Sequence, residues 1–403
     1  MGVEALDAQP SEGCEHVRMQ PLWQSYELGS AGSLVGFAYE SPVLAPGVQQ
    51  RAPRLGFAVE GQGLEIVEAM SETAAERWAK ARTYHHSLYP PERIAAERRG
   101  RVSVCLPARE CAGTVGEIVG VLVGLRDVGA IDEIVVIDAA SADGTAVVAE
   151  RAGATVYQEA ELMPAYGRVL GKGDAMWRAL SVLDGELVCF VDADTEDFSA
   201  HFVTGLLGPL VCEREVSFVK AFYRRPFGEQ RGASGGEGAS GVGGASSGAD
   251  GASDGEGGGR VNQLTARPAL ALFYPELAGV RQPLAGEVAA RRELLESVPF
   301  VTGYGVEIGM LIDVWRKVGL EAMAQVDLEE HRHGHQPLSA LAAMAQTVLA
   351  TIASRLEDDD SLEGWTERFG LYEEVEWGRL QELDPTPTVR PPLEILDLRG
   401  TAR

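Results

Sequence analysis

The sequence predicts an α/β protein with a Rossmann-like, mostly parallel sheet flanked by helices. Two observations predict it: apolar strand patterns alternate with helical patterns from residue 101 to residue 227, and two of the strands end in an aspartate, Asp138 and Asp192. Strands that alternate with helices of this length favour a parallel sheet with right-handed crossovers. Open sheets of this kind bind ligands at the carboxyl ends of their strands. A functional site is therefore expected along that edge.

The individual elements follow from local patterns. Residues 102–106 form an apolar run that Pro107 ends, and residues 114–125 carry apolar residues at the 3.6-residue spacing of a helix. The strand pattern recurs at residues 134–137, 154–157, 187–191, 216–223 and 321–326. Helical signals begin near Leu64, and further helices are predicted near residues 144–152, 173–183, 261–274, 287–297, 305–318 and 338–356.

Changes in composition divide the chain into five parts. Residues 1–100 are predicted to be a partly helical N-terminal extension, and residues 101–227 the core that carries the sheet. Residues 228–259 contain 14 glycines in 32 positions and are predicted to be a disordered surface insertion, because they bury too little surface to offset the entropy of ordering. A mainly helical part at residues 260–356 and a polar tail at residues 357–403 follow.

Composition limits the possible partners and the compartment. The net charge of −25 and the pI near 4.7 argue against nucleic acid and anionic membranes, which require a basic face. Anionic substrates remain compatible if a local basic cluster dominates within a Debye length, roughly 8 Å at physiological salt. The five cysteines form no Cys-x-x-Cys pair, and neither a signal peptide nor a membrane-spanning run is evident. A cytoplasmic location is expected.

Asp192 and Asp194 follow an apolar strand at positions i and i+2, so their side chains point the same way. Two such carboxylates at the edge of a sheet can hold a divalent cation, although an acidic loop after a strand is the commoner explanation. The tract from His331 to His335 offers an imidazole as a third ligand, and this donor set suits Mn²⁺ or Mg²⁺. A surface histidine cluster is the alternative.

Further features favour the binding of a nucleotide or a phosphate group. Lys172 stands between two glycines just before a helix, where it can contact a diphosphate. Asp138 can accept a hydrogen bond from a ribose or base, or it can merely cap the turn that follows. A basic group gathers after the sheet at Lys220, Arg224, Arg225, Arg260, Arg267 and Arg281. The three glycines before Arg260 make a phosphate cradle or simply the end of a linker.

These residues together resemble the glucosyl-3-phosphoglycerate synthases, and within them the bacterial mannosyl-3-phosphoglycerate synthase branch. The resemblance runs in order from about residue 80 to residue 355. It is carried by RTYHH (82–86), VSVCLPA (102–108), GKG (171–173), VDAD (191–194), FYRRP (222–226), GGGRV (257–261), RQPLAGE (281–287), VPF (298–300) and GYGVEIG (303–309).

The resemblance implies a retaining GT-A glycosyltransferase, usually dimeric, that moves a sugar from a nucleoside diphosphate to the 2-hydroxyl of 3-phosphoglycerate, with residues 260–356 binding the acceptor. It implies that Asp194 and His333 ligate the metal with Asp192 nearby. It assigns the catalytic and sugar-binding positions to Asp192, Asp194, Leu284 and Glu307. It assigns the donor pocket to Pro107, Ala108, Glu110, Ala139, Lys172, Asp192, Tyr304 and Glu307, and the acceptor pocket to Gly259, Arg260, Asn262 and His335.

Several positions depart from the family pattern. Ala139 stands in place of a serine, Asn262 of a threonine and His335 of an asparagine, and the loop after Pro107 is altered. Because Glu110 can accept from guanine N1 and N2, GDP-mannose is the expected donor, with UDP-glucose or GDP-glucose as the alternative. A sugar nucleotidyltransferase would require a glycine-rich, arginine-containing loop after the first strand, which is absent. A silent scaffold is disfavoured by the complete set of ligand positions.

Overall fold

A computed structural model describes residues 72–224, 259–331, 338–358, 371–376, 379–383 and 387–396. The expected extension up to residue 71 and the expected insertion up to residue 258 lie outside these residues. So do Arg225, His333 and His335.

The described core contains an eight-stranded sheet with the order β1-β9-β6-β7-β5-β2-β3-β4. Its strands are β1 (Thr83–His85), β2 (Val102–Ala108), β3 (Glu133–Asp138), β4 (Thr155–Gln158), β5 (Leu187–Phe190), β6 (Phe218–Arg224), β7 (Val288–Arg291) and β9 (Met323–Glu330). Strand β7 runs antiparallel to β5 and β6, and the other neighbouring pairs of this sheet are parallel. The predicted, mostly parallel α/β sheet is confirmed.

Helices cover both faces of the sheet, and the side chains of each strand alternate between them. Cys105 and Phe190 belong to one apolar cluster, whereas Val104 and Cys189 belong to the other. The helices are α1 (Ala74–Ala81), α2 (Pro91–Glu97), α3 (Val115–Asp127), α4 (Thr145–Ala152), α5 (Lys172–Ala179), α6 (His201–Cys212), α7 (Arg267–Phe273), α8 (Arg292–Glu296), α9 (Val306–Val318) and α10 (Leu338–Asp358). Burial on both faces explains why the strands are continuous apolar runs.

Several elements differ from the sequence prediction. The predicted helix at 287–297 is wrong in its first half, since Val288–Arg291 is β7 and only Arg292–Glu296 is helical. Two alanines in this stretch favour a helix locally, but pairing on both sides between β5 and β6 outweighs that preference. Helix α6 and the edge strand β1 were not predicted, and a π-helical turn at Asn262–Ala266 precedes α7.

The C-terminal residues return to the core. Two short strands, β10 (Leu371–Glu376) and β11 (Arg379–Leu383), form an antiparallel hairpin. Strand β12 (Val389–Arg390) pairs with β8 (Phe300–Val301), which leads to α9. Across the described residues, no helix is both long and apolar enough to cross a bilayer.

Candidate active site

Strand β5 carries Asp192 and Asp194 to the carboxyl edge of the sheet. Between them, Ala193 is buried, and its carbonyl accepts a hydrogen bond from Thr114 Oγ1 at 2.6 Å. The hydroxyl of Thr195 donates to the carbonyl of Asp192 at 3.3 Å. These bonds fix the backbone of the pair, while the Asp192 side chain is partly exposed and Asp194 is exposed. Both carboxylates therefore lie just beyond the carboxyl end of β5, where residues 193 and 194 form a turn and do not continue the strand. That they point the same way stays a prediction.

Lys172 joins two of the predicted site carboxylates. Its ammonium donates to Asp192 Oδ1 and lies 3.3 Å from Glu307 Oε1, on the first turn of α9. Burial opposes the charge on the lysine, but Asp192 and Glu307 outweigh this effect and raise the pKa of Lys172 well above its usual value. The site therefore keeps a fixed positive charge between two carboxylates.

Gly286 leaves the space in which this group sits. A Cβ at residue 286 would lie 2.5 Å from Lys172 Nζ and 2.6 Å from both carboxylate oxygens of Asp192. Any side chain here would displace the pair. Glycine at position 286 therefore makes room for the charged cluster.

Two buried polar side chains, Asn262 and Lys220, support the turn that contains Leu284 and Gly286. The amide N–H of Leu284 donates to Asn262 Oδ1 at 3.1 Å, and Lys220 Nζ donates to the carbonyl of Ala285 at 2.7 Å. Lys220 is 2% exposed, and burial lowers its pKa to about 8. Asn262, expected to receive the acceptor, thus also supports the turn expected to hold the sugar.

Lys220 corrects one expectation from the sequence. The sequence groups it with arginines as an anion-binding surface, but its side chain points into the core because β6 alternates between the two faces of the sheet. Two other members contact neighbours of their own: Arg267 donates to Gln263 at 2.9 Å, and the Arg281 guanidinium lies 4.6 Å from the centre of the Phe222 ring. Arg224 and Arg260 are exposed.

His331, the first histidine of the tract, lies beside Thr195, the residue that follows Asp194. Its Nε2 lies 3.1 Å from Thr195 Oγ1 and 3.1 Å from Glu287 Oε1, and its ring stacks on Tyr223 at 4.5 Å. Tyr223 in turn donates to Glu287 Oε2 at 2.9 Å. The chain therefore enters the undescribed segment 332–337 beside the residue that follows Asp194. The metal role expected of His333 remains a prediction.

Asp138 closes the other end of the site at the tip of β3. It is buried, and its Oδ2 accepts from the Ser141 amide at 3.2 Å and from Gln158 Nε2 at 2.9 Å. The predicted capping role is therefore present. Its Oδ1 is also buried but has no hydrogen-bond partner among the described residues. A buried acceptor of this kind is costly unless a ligand supplies a donor.

The loops that follow β2 and β3 are fastened together. The backbone N–H of Ala139 donates to the carbonyl of Ala108 at 2.9 Å, next to Pro107. Glu110 has a positive φ of 52°, and its Oε1 accepts from the Ala142 amide at 2.9 Å. One oxygen of the carboxylate expected to read the base is thus already engaged within the protein.

The predicted acceptor residues begin at Gly259, which has a positive φ of 74°. The Gln263 amide donates to the carbonyl of Gly259 at 3.0 Å, so a helical turn starts directly there, with Arg260 exposed in it. Tyr304, in the short 3₁₀ turn Gly303–Gly305 before Glu307, is 54% exposed and can reach a ligand.

Sequence reasoning missed the supporting groups of the site. Gly286, Glu287 and Tyr223 stand out in the sequence only as parts of motifs, and His331 only as part of a tract. A lysine inside an apolar strand, such as Lys220 in FVKAFYR, is the one signal that points to a buried polar support.

The residues present fit a divalent cation. Asp192 and Asp194 offer hard oxygen ligands at the carboxyl end of β5, and the absence of a side chain at Gly286 leaves room for the side chains of Lys172 and Asp192. Lys172 already holds one oxygen of Asp192.

Comparison with known proteins gives the family. The model of glycosyl transferase family 2 matches residues 103–232. Glucosyl-3-phosphoglycerate synthase of Mycolicibacterium smegmatis is 40% identical over 320 residues, which cover 78% of this chain and 99% of that protein. The counterpart from Petrotoga mobilis is 38% identical over 292 residues, or 71% of this chain and 84% of that protein.

Solved structures agree. The mannosyl-3-phosphoglycerate synthase of Rubrobacter xylanophilus is 44% identical with a TM-score of 0.68, covering 80% of this chain and 98% of that one. The glucosyl-3-phosphoglycerate synthase of Mycobacterium tuberculosis, solved with Mn²⁺, UDP-glucose and phosphoglyceric acid, is 36% identical with a TM-score of 0.61, covering 76% and 93%. Another structure of that enzyme holds Mg²⁺ and UDP. The predicted GT-A fold and the predicted divalent metal cofactor are thereby confirmed for the family.

The sheet, the Asp-x-Asp edge and these relatives lead to one conclusion: the chain belongs to the glucosyl-3-phosphoglycerate and mannosyl-3-phosphoglycerate synthase family of metal-dependent GT-A glycosyltransferases.

Proposed function

We propose that this chain transfers a hexose from a nucleoside diphosphate sugar to the 2-hydroxyl of 3-phosphoglycerate, and that GDP-mannose is its preferred donor. The observation that carries the proposal is the cluster of Lys172, Asp192 and Glu307, with Asp194 at its edge and Gly286 leaving it room. It joins a fixed cation to paired carboxylates at the carboxyl end of the sheet, where such folds bind nucleotides.

The leaving diphosphate needs positive charge. A divalent cation held by Asp194, Asp192 and His333 supplies Lewis-acid neutralisation of that diphosphate when it is bound. Lys172, kept protonated by Asp192 and Glu307, adds a positioned ammonium that stabilises charge on the leaving group. Because Asp192 and Glu307 orient the ammonium in advance, little reorganisation is required during the reaction.

The sugar and the acceptor are positioned by separate parts of the chain. Glu307 and the turn at Leu284 hold the hexose, and Asn262 and Lys220 keep that turn in place. Gly259 and Arg260 receive the phosphoglycerate together with Asn262 and His335, and Tyr304 lies against the donor. Fixing both partners lowers the barrier by proximity and orientation. Attack on the same face as the departing phosphate, which itself takes the acceptor's proton, accounts for retention.

The base-binding end supports the choice of donor. Ala139 lacks the hydroxyl that the family pattern places there for uridine. Asp138 Oδ1 offers a buried acceptor for a base imino N–H, which uracil and guanine both carry, so this contact is compatible with either donor. Pro107 and Ala108 end strand β2 just before the loop that carries Glu110, which has a second oxygen for guanine. The 44% identity with the Rubrobacter xylanophilus mannosyl-3-phosphoglycerate synthase supports mannose as the transferred sugar.

The test is a donor screen with 3-phosphoglycerate and Mn²⁺, in which GDP-mannose, UDP-glucose and GDP-glucose compete. We expect the highest kcat/KM with GDP-mannose. A preference for UDP-glucose would overturn the assignment of the donor but not that of the reaction, and no transfer from any nucleotide sugar would overturn both.

UDP-glucose is the second candidate. The Mycobacterium tuberculosis enzyme was solved with UDP-glucose, and the relatives that are 38–42% identical over most of this chain are glucosyl-3-phosphoglycerate synthases. Ala139→Ser separates the two, since restoring the family hydroxyl should raise kcat/KM for UDP-glucose relative to GDP-mannose. An unchanged ratio would remove residue 139 from the choice of base.

The acceptor pocket has its own test. Arg260→Ala should raise the KM for 3-phosphoglycerate by about 10- to 100-fold, the loss expected for one charge-assisted contact. Arg267→Ala, seven positions on and paired with Gln263, is the matched control and should leave that KM within about twofold. An unchanged KM for Arg260→Ala would rule out the proposed phosphate cradle.

We propose further that the enzyme acts as a cytoplasmic homodimer. The family resemblance implies a dimer, and Leu264 and Leu272 are apolar side chains exposed on the helical segment 262–273.

A further inference from the structure

A second group of metal-binding side chains lies at the edge strand of the sheet. Strands β1 and β9 run parallel, with His85 opposite Asp327, so both strands deliver their carboxyl ends to one place. His85 ends β1, His86 begins the turn that follows, and Glu329 lies near the end of β9. One ligand atom from each of His85, His86 and Glu329 can be chosen so that all three lie within 4.8 Å of one another.

The distances match the edges of a metal coordination polyhedron. Glu329 Oε1 lies 3.5 Å from His85 Nε2 and 3.3 Å from His86 Nε2. Two ligands at the Zn–N and Zn–O distances of about 2.0–2.1 Å in tetrahedral geometry are separated by about 3.3–3.4 Å. The carboxylate oxygen is therefore already spaced from each imidazole as it would be around one small cation.

The surrounding residues fix the two imidazoles. His86 packs against α6, where a Cβ on Gly205 would lie 2.9 Å from His86 Cβ, so glycine is what permits this approach. His86 Nε2 is buried and makes no hydrogen bond of normal geometry with the described residues. His85 Nδ1 accepts from the backbone N–H of Ser87 at 3.2 Å and lies 2.8 Å from Ser87 Oγ, so a cation at Nε2 requires the ring to give up this contact or its Nε2 proton.

The neighbouring His201 does not compete for a cation. Its Nε2 lies 3.1 Å from the carbonyl of Leu328 and its Nδ1 contacts Ser199, so both ring nitrogens are used. Its ring packs against the ring of His86, with 4.3 Å between the ring centroids. Glu329 has a positive φ of 64°, and its amide donates to Asp327 Oδ1 at 2.9 Å, which turns the end of β9 at this point.

We propose that His85, His86 and Glu329 form a binding site for a divalent transition-metal ion of the Zn²⁺ type, separate from the Asp192 and Asp194 edge. Two imidazoles and a carboxylate select Zn²⁺ and related borderline cations over Mg²⁺ and Ca²⁺, which prefer oxygen ligands. The partial exposure of His85 and Glu329 leaves room for water as a fourth ligand. The ion joins β1 to the end of β9, four residues before His333.

The test is calorimetric titration of Zn²⁺ into the full chain carrying Asp194→Ala, so that binding at the active site is weakened in every sample. We expect a site of about one Zn²⁺ per chain. Glu329→Gln in the same background should weaken it at least about tenfold, since loss of a group that merely orients a metal ligand already costs that much. Glu330→Gln, the next carboxylate along, is the matched control and should bind like the parent. Equal Zn²⁺ affinity in the Glu329→Gln and Glu330→Gln proteins would overturn the proposal, as would no binding by the parent.

His85→Gln gives an independent check, because His85 is partly exposed and its loss spares the core. In the same Asp194→Ala background, Zn²⁺ should raise the Tm of the parent through preferential binding to the folded state, and His85→Gln should reduce that rise. Circular dichroism of the metal-free proteins checks that each variant is folded. If Zn²⁺ raised the Tm of His85→Gln as much as that of the parent, His85 would not be a metal ligand. That result would contradict the proposed site.

Discussion

Gly286 has no side chain, and the space that a Cβ would take is bordered by Lys172 and Asp192. Gly286→Ala should therefore lower kcat/KM by about 10²-fold, because a displacement on the scale of 1 Å at a reacting centre has that effect. The measurement is steady-state transfer to 3-phosphoglycerate, with Tm recorded alongside.

Gly124→Ala is the matched control for this substitution. Gly124 lies exposed in α3, and a Cβ there would meet nothing within 4 Å, so alanine should leave the rate unchanged and stabilise the helix by roughly 0.5–1 kcal/mol. Full activity of Gly286→Ala would mean that the cluster tolerates displacement and that its close packing has no catalytic importance.

Lys220 gives a prediction about pH. Burial lowers its pKa from 10.5 to about 8 in the folded protein, so between those values the unfolded chain binds more protons and the free energy of unfolding rises with pH. Lys220→Met removes this contribution. The free energy of unfolding of wild type minus that of Lys220→Met should therefore rise by roughly 3 kcal/mol as the pH goes from about 8 to 10.5.

Urea-induced unfolding of both proteins at a series of pH values measures this difference. A difference that is constant with pH would mean that Lys220 keeps its ordinary pKa in the folded state. Its hydrogen bond to Ala285 would then be its only role.

At single positions, the residue type predicted which side chains belong to the active site better than it predicted what each side chain does there. Asp192, Asp194, Lys172 and Glu307 were expected in the site from their motifs, and the structure brings Lys172, Asp192 and Glu307 into contact. Lys220 was expected to bind anions, and the structure buries it beneath a turn. The sequence shows the charge of a side chain but not which face of a strand it occupies when the strand is buried on both sides.

Helix α5, which begins at Lys172, is tied to the C-terminal residues by buried ion pairs. Asp174 accepts from Arg390 at 2.8 and 2.7 Å, and it also pairs with Arg178, which is fully buried. Arg390→Ala should lower the free energy of unfolding by about 2–3 kcal/mol. This is less than the roughly 3–5 kcal/mol for a carboxylate left wholly unpaired, because Arg178 remains.

Denaturant unfolding measures this loss, and Lys317→Ala is its control. Lys317 also bridges to the C-terminal residues, through Glu394 at 3.4 Å, but both side chains are about half exposed, so its removal should change stability by about 0–1 kcal/mol. Equal losses in the two variants would show that burial of the Asp174 pair adds nothing.

Among the elements, those with one clear periodicity were predicted well and those set by their neighbours were not. The strands at β2, β3 and β5 were predicted to within a residue or two at each end, because apolar runs bounded by turn residues carry their own signal. Strand β7 was predicted as helix, since Val288–Arg291 becomes extended only through pairing on both sides. Helix α6 was missed because Gly205, Gly208 and Pro209 disfavour a helix locally.

Packing explains those helix-disfavouring residues. A Cβ at Gly208 would overlap the ring of Tyr89, and one at Gly205 would press on His86, so α6 lies unusually close to the segment after β1. A contact between residues more than a hundred positions apart leaves no periodic trace in the sequence.

For the molecule as a whole, the expected dimer gives a further prediction. Sedimentation should find two chains per particle at micromolar concentration, and Leu272→Asp should shift it toward the monomer by placing a charge on an exposed apolar segment. Ile395→Asp changes an equally exposed apolar residue elsewhere and should leave the dimer intact. A wild-type protein that sediments as a monomer would contradict this expectation.

The sheet brings Lys172, Asp192 and His331 to its carboxyl edge, where Asp194 follows β5. That arrangement is most directly tested by the rate of sugar transfer to 3-phosphoglycerate at saturating Mn²⁺ for wild type, Asp194→Ala and Glu196→Ala, an exposed carboxylate in the same loop. We expect Asp194→Ala to lose at least about 10³-fold, equivalent to about 4 kcal/mol of transition-state stabilisation, and Glu196→Ala to match wild type. Transfer by Asp194→Ala at the wild-type rate would contradict the account.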